Sequence, residues 1–129
     1  MKYTYHNNVW DGESIFVFGS NLAGRHGAGA AKYALKNCGA IYGQGVGRQG
    51  GSYAIPTKDQ AVQALSLFSI KQYIFFFVEY AAQHPEKEFF VTALGTGLAG
   101  YKHKDIAPLF RESPTNCIFP IEWEAWLEQ

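Results

Sequence analysis

Cysteine is scarce in this chain, and the two present, Cys38 and Cys117, stand far apart with no partner at metal-ligand spacing. Together with His6, His26, His84 and His103 they compose no zinc motif and no disulfide framework. Neither a metal centre nor an oxidising compartment is expected. An excess of charge of one sign is also lacking. Eleven Lys and Arg balance eleven Asp and Glu, all scattered, whereas gripping a duplex backbone needs clustered cations that release counterions. Direct binding to duplex DNA or RNA is therefore not expected. Small anions remain open, because local dipoles and one or two cations hold a phosphate at zero net charge. Long apolar runs are missing as well. The longest, Tyr73 to Val78, is bounded by Lys71 and Glu79 and falls far short of the roughly 20 residues that span a bilayer. Nothing after Lys2 has the apolar core of a signal peptide. These absences point to a reduced, cytoplasmic protein without a membrane role.

What the chain has is apolar and aromatic residues, 47% and 16% of it, with no polar tract or internal repeat. At 129 residues it is long enough for one domain, residues 1–129, with its own core. It also has glycine, gathered into three clusters. The first lies in Ile15-Phe16-Val17-Phe18-Gly19-Ser20-Asn21-Leu22-Ala23-Gly24-Arg25-His26-Gly27-Ala28-Gly29-Ala30-Ala31, where an apolar strand breaks into a loop and restarts as a helix former. The others are Gly43 to Gly51 and Gly95-Thr96-Gly97-Leu98-Ala99-Gly100-Tyr101, the latter again straight after a strand-like run. A glycine-rich loop opening a helix presents backbone N–H groups at the positive end of the helix dipole, which suits an anion.

A coarse reading places strands at Ser14 to Phe18, Ala40 to Tyr42, Ser52 to Ile55, Glu88 to Leu94 and Cys117 to Ile121. Pro56 is expected to end the third of these, since it cannot donate to a ladder. Helices are expected at Gly29 to Asn37, stopped by Gly39, around Lys104 to Phe110, and as a terminal turn over Glu122 to Leu127. Ser69 with Gln72 reads as a capping box for a helix whose apolar face is Ile70, Tyr73, Ile74, Phe77, Val78 and Ala81. Phe75, Phe76 and Tyr80 fall on its other faces. That helix is read chiefly as buried core, with a homodimer contact or a ligand wall as alternatives. An oligomer surface built from Phe75, Phe76, Tyr80, Trp123 and Trp126 would make the chain an interaction protein instead. Alternating strands and helices imply an α/β domain whose mainly parallel sheet is flanked by helices, with its ligand crevice beyond the strands' carboxyl ends.

The loops exclude two nucleotide chemistries. No Gly-x-x-x-x-Gly-Lys-Ser/Thr is present, so a magnesium-triphosphate P-loop is not supported. Gly24 to Gly29 does not match the dinucleotide fingerprint Gly-x-Gly-x-x-Gly, and no acid stands at a ribose position about twenty residues on. No cofactor is implied.

Phe18-Gly19-Ser20-Asn21, then Gly27-Ala28-Gly29-Ala30-Ala31, then Gly95 to Tyr101 after an apolar strand resemble, in order and spacing, the motifs of macro domains. The likeness is strongest to small bacterial and phage macro-like proteins that also carry Gln49-Gly50-Gly51-Ser52-Tyr53-Ala54-Ile55-Pro56-Thr57-Lys58-Asp59, and it runs from about Ile15 to Phe110. The resemblance implies a three-layer fold with a mixed, mainly parallel sheet. It implies a small-molecule nucleotide partner, ADP-ribose or a derivative, or an ADP-ribosylated macromolecule. It also implies an ADP-ribosyl hydrolase, or a reader or sequestering protein without turnover. Residue by residue, Gly19, Ser20 and Asn21 match the segment after the first strand whose asparagine orients the distal ribose, or Asn21 is a turn residue tolerating the left-handed region. Gly27, Ala28 and Gly29 match the loop on that ribose and the diphosphate. Gly95, Thr96, Gly97, Leu98, Ala99 and Gly100 match the diphosphate cradle, with Tyr101 as the aromatic against the ribose.

Two departures from the family are plain. Gly27 to Ala31 holds no acid to activate water, and the adenine-binding aspartate has only Asp11 as a stand-in, or Asp11 is simply a turn residue. Arg25 and His26 flank the phosphate loop, where a cation would neutralise charge and an imidazole would move a proton, or they are surface loop residues. Asp59 is the other acid–base candidate, or a helix N-cap. For turnover, Asn21, His26 and Asp59 are the residues expected at the reacting bond. Lys58 is a plausible site neighbour, and Arg48 either a lid or a solvated tip.

Overall fold

The computed structural model describes all residues, Met1–Gln129. Its six strands are β1 (Thr4–His6), β2 (Ile15–Asn21), β3 (Gly47–Gln49), β4 (Ser52–Lys58), β5 (Phe89–Val91) and β6 (Cys117–Pro120). They form one sheet in the order β1-β6-β5-β2-β4-β3, parallel throughout except for the antiparallel β3–β4 edge. The helices are α1 (Gly29–Asn37), α2 (Leu67–Ala82), α3 (His103–Ile106) and α4 (Glu124–Leu127), with 3-10 turns at Ala107–Phe110 and Ile121–Trp123.

The alternation of side chains along a strand makes this a three-layer molecule. In β2, Ile15 and Val17 join Tyr53, Ile55, Phe89 and Val91 in a core of 19 buried residues beneath α2, α3 and α4. Phe16 and Phe18 point the other way, with Ala54 and Phe90, into a core of eight buried residues closed by Ala31 and Ala34 of α1. The central strands are apolar on both faces because both faces are covered.

Several sequence expectations shift in the structure. Ala40 to Tyr42 is not a strand; the antiparallel edge is instead Gly47–Gln49. Pro56 does not end β4, which runs on to Lys58. β3 pairs only as far as Ala54, so Pro56 sits where β4 has become an edge and a missing N–H is tolerated. The α2 cap is Ser66, whose side chain accepts from the Ser69 N–H at 3.1 Å, so Ser69 lies inside the first turn. Phe75 and Phe76 are exposed, at 55% and 58%, not core. Trp123 is fully buried and Trp126 half-buried, so neither belongs to an exposed aromatic surface. β1 went unread, being a short, half-exposed edge with no apolar run. Gly39 does follow α1 with φ 78°, the left-handed turn that suits glycine. No helix is long and apolar enough to cross a membrane.

Candidate functional site

A cleft of about 460 Å³ lies over the carboxyl ends of β5, β2 and β4. Its floor is Gly19, Ser20 and Asn21 from β2, Thr57 and Lys58 from β4, and Thr92, Ala93 and Leu94 just past β5. Gly27 to Ala31, where α1 begins, form one wall, and Gly95 to Ala99 form another. β2 and β5 are adjacent parallel strands, and this adjacency brings the two glycine loops to one crevice.

The walls are rich in unused donors. The α1 N-cap, Ala28, supplies no side-chain hydrogen bond, and the first intrahelical bond runs from Lys32 N–H to the Ala28 carbonyl. The amides of Gly29, Ala30 and Ala31 therefore have no acceptor within the chain. In the opposite loop Thr96, Gly100 and Tyr101 donate back to Ala93, Gly97 and Gly95, which curls the backbone and leaves the amides of Gly95, Gly97, Leu98 and Ala99 without acceptors. Such concavities of backbone N–H groups at a helix start attract anions.

Two cations flank these amides, Arg25 and Lys58, and neither has an ion-pair partner. No Asp, Glu or His lines the cleft. Asn21 is buried at 6% exposure; its Nδ2 donates to the Arg25 carbonyl at 3.0 Å and its Oδ1 accepts the Arg25 N–H at 2.9 Å. One N–H and one lone pair of its amide remain uncommitted. Behind the strand end the Ser20 hydroxyl donates to the Gly45 carbonyl. A Cβ at residue 45 would lie 2.1 Å from the Asn21 carbonyl oxygen, so the middle glycine cluster packs against the cleft floor from outside. Val62 also lines the cleft, with φ 62°, a left-handed backbone that a β-branched residue rarely adopts.

A second cavity, about 430 Å³, opens next to the first and shares Gly29, Ala30 and Thr92 with it. Its other lining residues are Asn8, Val9, Trp10, Phe16, Tyr33 and Phe90. The Trp10 ring stands edge-on to Phe16 and Tyr33 at centroid distances of 5.9 and 6.2 Å, and its indole N–H donates to the Ser14 carbonyl. Asn8 and Val9 follow β1 on the far side of β5. The two cavities thus adjoin at Gly29, Ala30 and Thr92, the second aromatic and toward β1 on the α1 side of the sheet, the first cationic and toward β4.

No protein-family model matches the chain, and no curated protein matches it by sequence. Solved structures do. The macrodomain of Mycobacterium tuberculosis DarG aligns with TM-score 0.66 at 17% identity, covering 92% of this chain and 97% of that one. DarTG of Thermosipho africanus in complex with ADP-ribose aligns with TM-score 0.61 at 18% identity over 87% of this chain. A protein of unknown function from Bacteroides thetaiotaomicron aligns with TM-score 0.62 at 14% identity, over 94% of this chain and 99% of that one. The present chain has the macrodomain fold. It spans 39% of the length of the Thermosipho chain.

Within this macrodomain fold the sequence-expected site residues fall into two groups. Gly19, Ser20, Asn21, Arg25, Gly27, Ala28, Gly29, Gly95, Thr96, Gly97, Leu98 and Ala99 all line the cleft. His26, Asp59, Gly100 and Tyr101 do not. His26 is buried at 1% exposure, with Nε2 2.9 Å from the Gln44 carbonyl and 3.2 Å from Gln49 Oε1. Gln49 Oε1 also accepts the Ile41 N–H, so both neighbours are acceptors and Nε2 carries the hydrogen. Asp59 Oδ1 accepts the N–H groups of Ala61 and Gln63, closing the turn that holds Val62. The Tyr101 hydroxyl donates to the Leu65 carbonyl at 2.5 Å, tying the second glycine loop to the approach of α2. Asp11 accepts from the Glu13 and Ser14 amides and the Ser14 hydroxyl, a closed turn. Arg48 reaches the Gly50 carbonyl and the Tyr80 hydroxyl, not the cleft.

The sequence reading passed over Thr57, Thr92 and Ala93, with Leu94 beside them, and Val62 as lining residues. The first three stand at or just beyond the carboxyl ends of parallel strands, where the rule for ligand crevices would have found them. Val62 carried no signal, because its position depends on a turn conformation that its residue type disfavours.

Proposed function

We propose that this protein binds ADP-ribose, or a closely related ribonucleotide diphosphate, across the two adjoining cavities. The observation that carries the reading is the pair of acceptor-free amide rows, at the start of α1 and in Gly95 to Ala99, facing one cleft. A diphosphate takes several neutral donors at once and needs no net positive protein. Arg25 and Lys58 supply charge at its margin. The base lies against Trp10 and Tyr33 in the aromatic end, where a flat apolar ring gains stacking. The distal ribose lies at the Asn21 and Lys58 end, where the spare amide capacity of Asn21 suits a sugar diol. The solved relative in complex with ADP-ribose supports this choice of ligand.

Binding without turnover is the primary reading. The lining has no carboxylate and no imidazole to activate water or protonate a leaving group. Hydrolysis of a linkage at the distal ribose is the second reading, with Asn21 and Lys58 standing where that linkage would lie. His26 and Asp59 would act there only by leaving their present partners.

Amide chemical-shift mapping with ADP-ribose tests the binding reading: shifts concentrated at Gly27–Ala31, Gly95–Ala99 and the Trp10 indole support it, and shifts elsewhere contradict it. A single-turnover assay on ADP-ribosylated nucleic acid or protein separates the second reading, which requires released ADP-ribose.

A further inference from the structure

The solvent side of α2 presents Phe68, Phe75 and Phe76 at 74%, 55% and 58% exposure, and none of the three lines the cleft. Phe68, Gln72, Phe75 and Glu79 recur at spacings of four, three and four residues, a seam of the kind by which helices pair. The Phe75 and Phe76 rings are in edge contact at 6.0 Å between centroids, and exposed aromatic surface of this kind marks a contact site. The fold uses the opposite side, through buried Ile70, Ile74, Phe77 and Ala81 flanked by the partly buried Tyr73 and Val78.

Charge says what covers the seam. Lys71 and Glu79 are both exposed, and neither has an ion-pair partner in the chain. They stand four residues before and four after Phe75. At 1.5 Å per residue they are about 12 Å apart along the helix and cannot reach each other. In an antiparallel twofold pairing centred on Phe75, residues equidistant from the centre come level across the interface. Lys71 then meets the partner's Glu79, Glu79 meets the partner's Lys71, and Phe75 packs on the partner's Phe75. The two unpaired charges of one helix are thus complementary to a second, inverted copy of the same helix.

We infer that the exposed face of α2 is the isologous interface of a homodimer of this chain, with α2 antiparallel to its mate and Phe75 at the twofold axis. The N-terminal end of α2 follows β4 and the cleft-lining Val62. Antiparallel pairing therefore sends the two clefts to opposite ends of the dimer, both open. The inference stands independently of what the cleft binds.

Sedimentation velocity over a concentration series is the test, with the 14.4 kDa chain expected to move toward twice that mass. Lys71→Glu and Glu79→Lys each set like charges opposite one another in two symmetric places and weaken association about tenfold or more. The double variant exchanges the charges and restores wild-type association, which requires residue 71 of one copy to face residue 79 of another. Circular dichroism of each variant checks that the exposed substitutions leave the fold intact. A chain monomeric at all concentrations overturns the inference. So does association that both single variants leave unchanged, or that the double variant fails to restore.

Discussion

Asn21 and Arg25 close a small ring, the Asn21 side chain donating to the Arg25 carbonyl at 3.0 Å and accepting its N–H at 2.9 Å. The ring fixes the first turn of the loop that carries Gly27 to the start of α1. One residue therefore has two duties, loop geometry and the spare hydrogen-bonding capacity facing the cleft.

Replacing Asn21 separates the duties. Asn21→Ala removes both ring bonds from a buried position and is expected to lower stability by about 1–3 kcal/mol. Asn21→Asp keeps the acceptor for the Arg25 N–H but sets a carboxylate against the Arg25 carbonyl and any bound diphosphate, so affinity falls further than with alanine. Urea denaturation gives the first quantity and ligand titration the second.

Glycines of the cleft divide by what surrounds them. A Cβ at residue 45 meets the Asn21 carbonyl oxygen at 2.1 Å, so Gly45→Ala must displace backbone and is expected to cost about 2–4 kcal/mol. A Cβ at residue 97 would meet nothing within 4 Å. Gly97→Leu is expected to keep the melting temperature and fill the space over the amides, abolishing nucleotide binding. Retained affinity in a folded Gly97→Leu protein contradicts the diphosphate cradle.

Arg25 and Lys58 lack ion-pair partners, so their charge is available to a ligand. Replacing either with alanine is expected to weaken an anionic ligand about fivefold to tenfold, less at high salt because the groups are near solvent. Titrations of the wild type and both variants at low and high ionic strength check this; equal affinities at both salts place the ligand's charge elsewhere.

The fold was legible where periodicity was strong. The bounds of α1, from Gly29 to Asn37, and the parallel α/β class follow from apolar runs that stop at glycine. The glycine loops were legible as cleft walls because each follows a strand, and adjacent parallel strands end side by side. Pro56 misled because its effect depends on where the neighbouring strand stops, which is a tertiary fact. Phe75 and Phe76 misled because hydrophobicity does not say which face is covered. His26 read as a loop histidine beside a phosphate site, yet Gln44 and Gln49, eighteen and twenty-three residues on, draw it into the interior. No local pattern encodes those contacts.

His26→Ala is accordingly expected to reduce stability by about 2–4 kcal/mol, removing one of the two donors to the Gln44 carbonyl, which keeps only Gln49 Nε2, and opening a cavity against Phe18. At a temperature where the variant is folded, its affinity for ligand changes little. A loss of turnover with unchanged stability would instead mean a chemical role for this imidazole.

Burial pushes the Cys117 thiol up from 9.0 to about 12. Because the folded value lies above the unfolded one, the neutral thiol stabilises the fold below pH 9.0, and this contribution fades as pH rises toward about 12. Urea midpoints are expected to fall from about pH 9 upward, and native Cys117 to resist thiol reagents until the protein unfolds. Rapid native-state labelling of Cys117 contradicts its burial.

Titration calorimetry with ADP-ribose, with ADP and AMP as references, tests the central claim most directly. Saturable heat with a micromolar-range constant for ADP-ribose, weaker for ADP and weaker again for AMP, is the result the adjoining cavities predict. No heat with any of the three, or equal affinity for all, contradicts it and leaves the glycine loops as turns of the macrodomain fold.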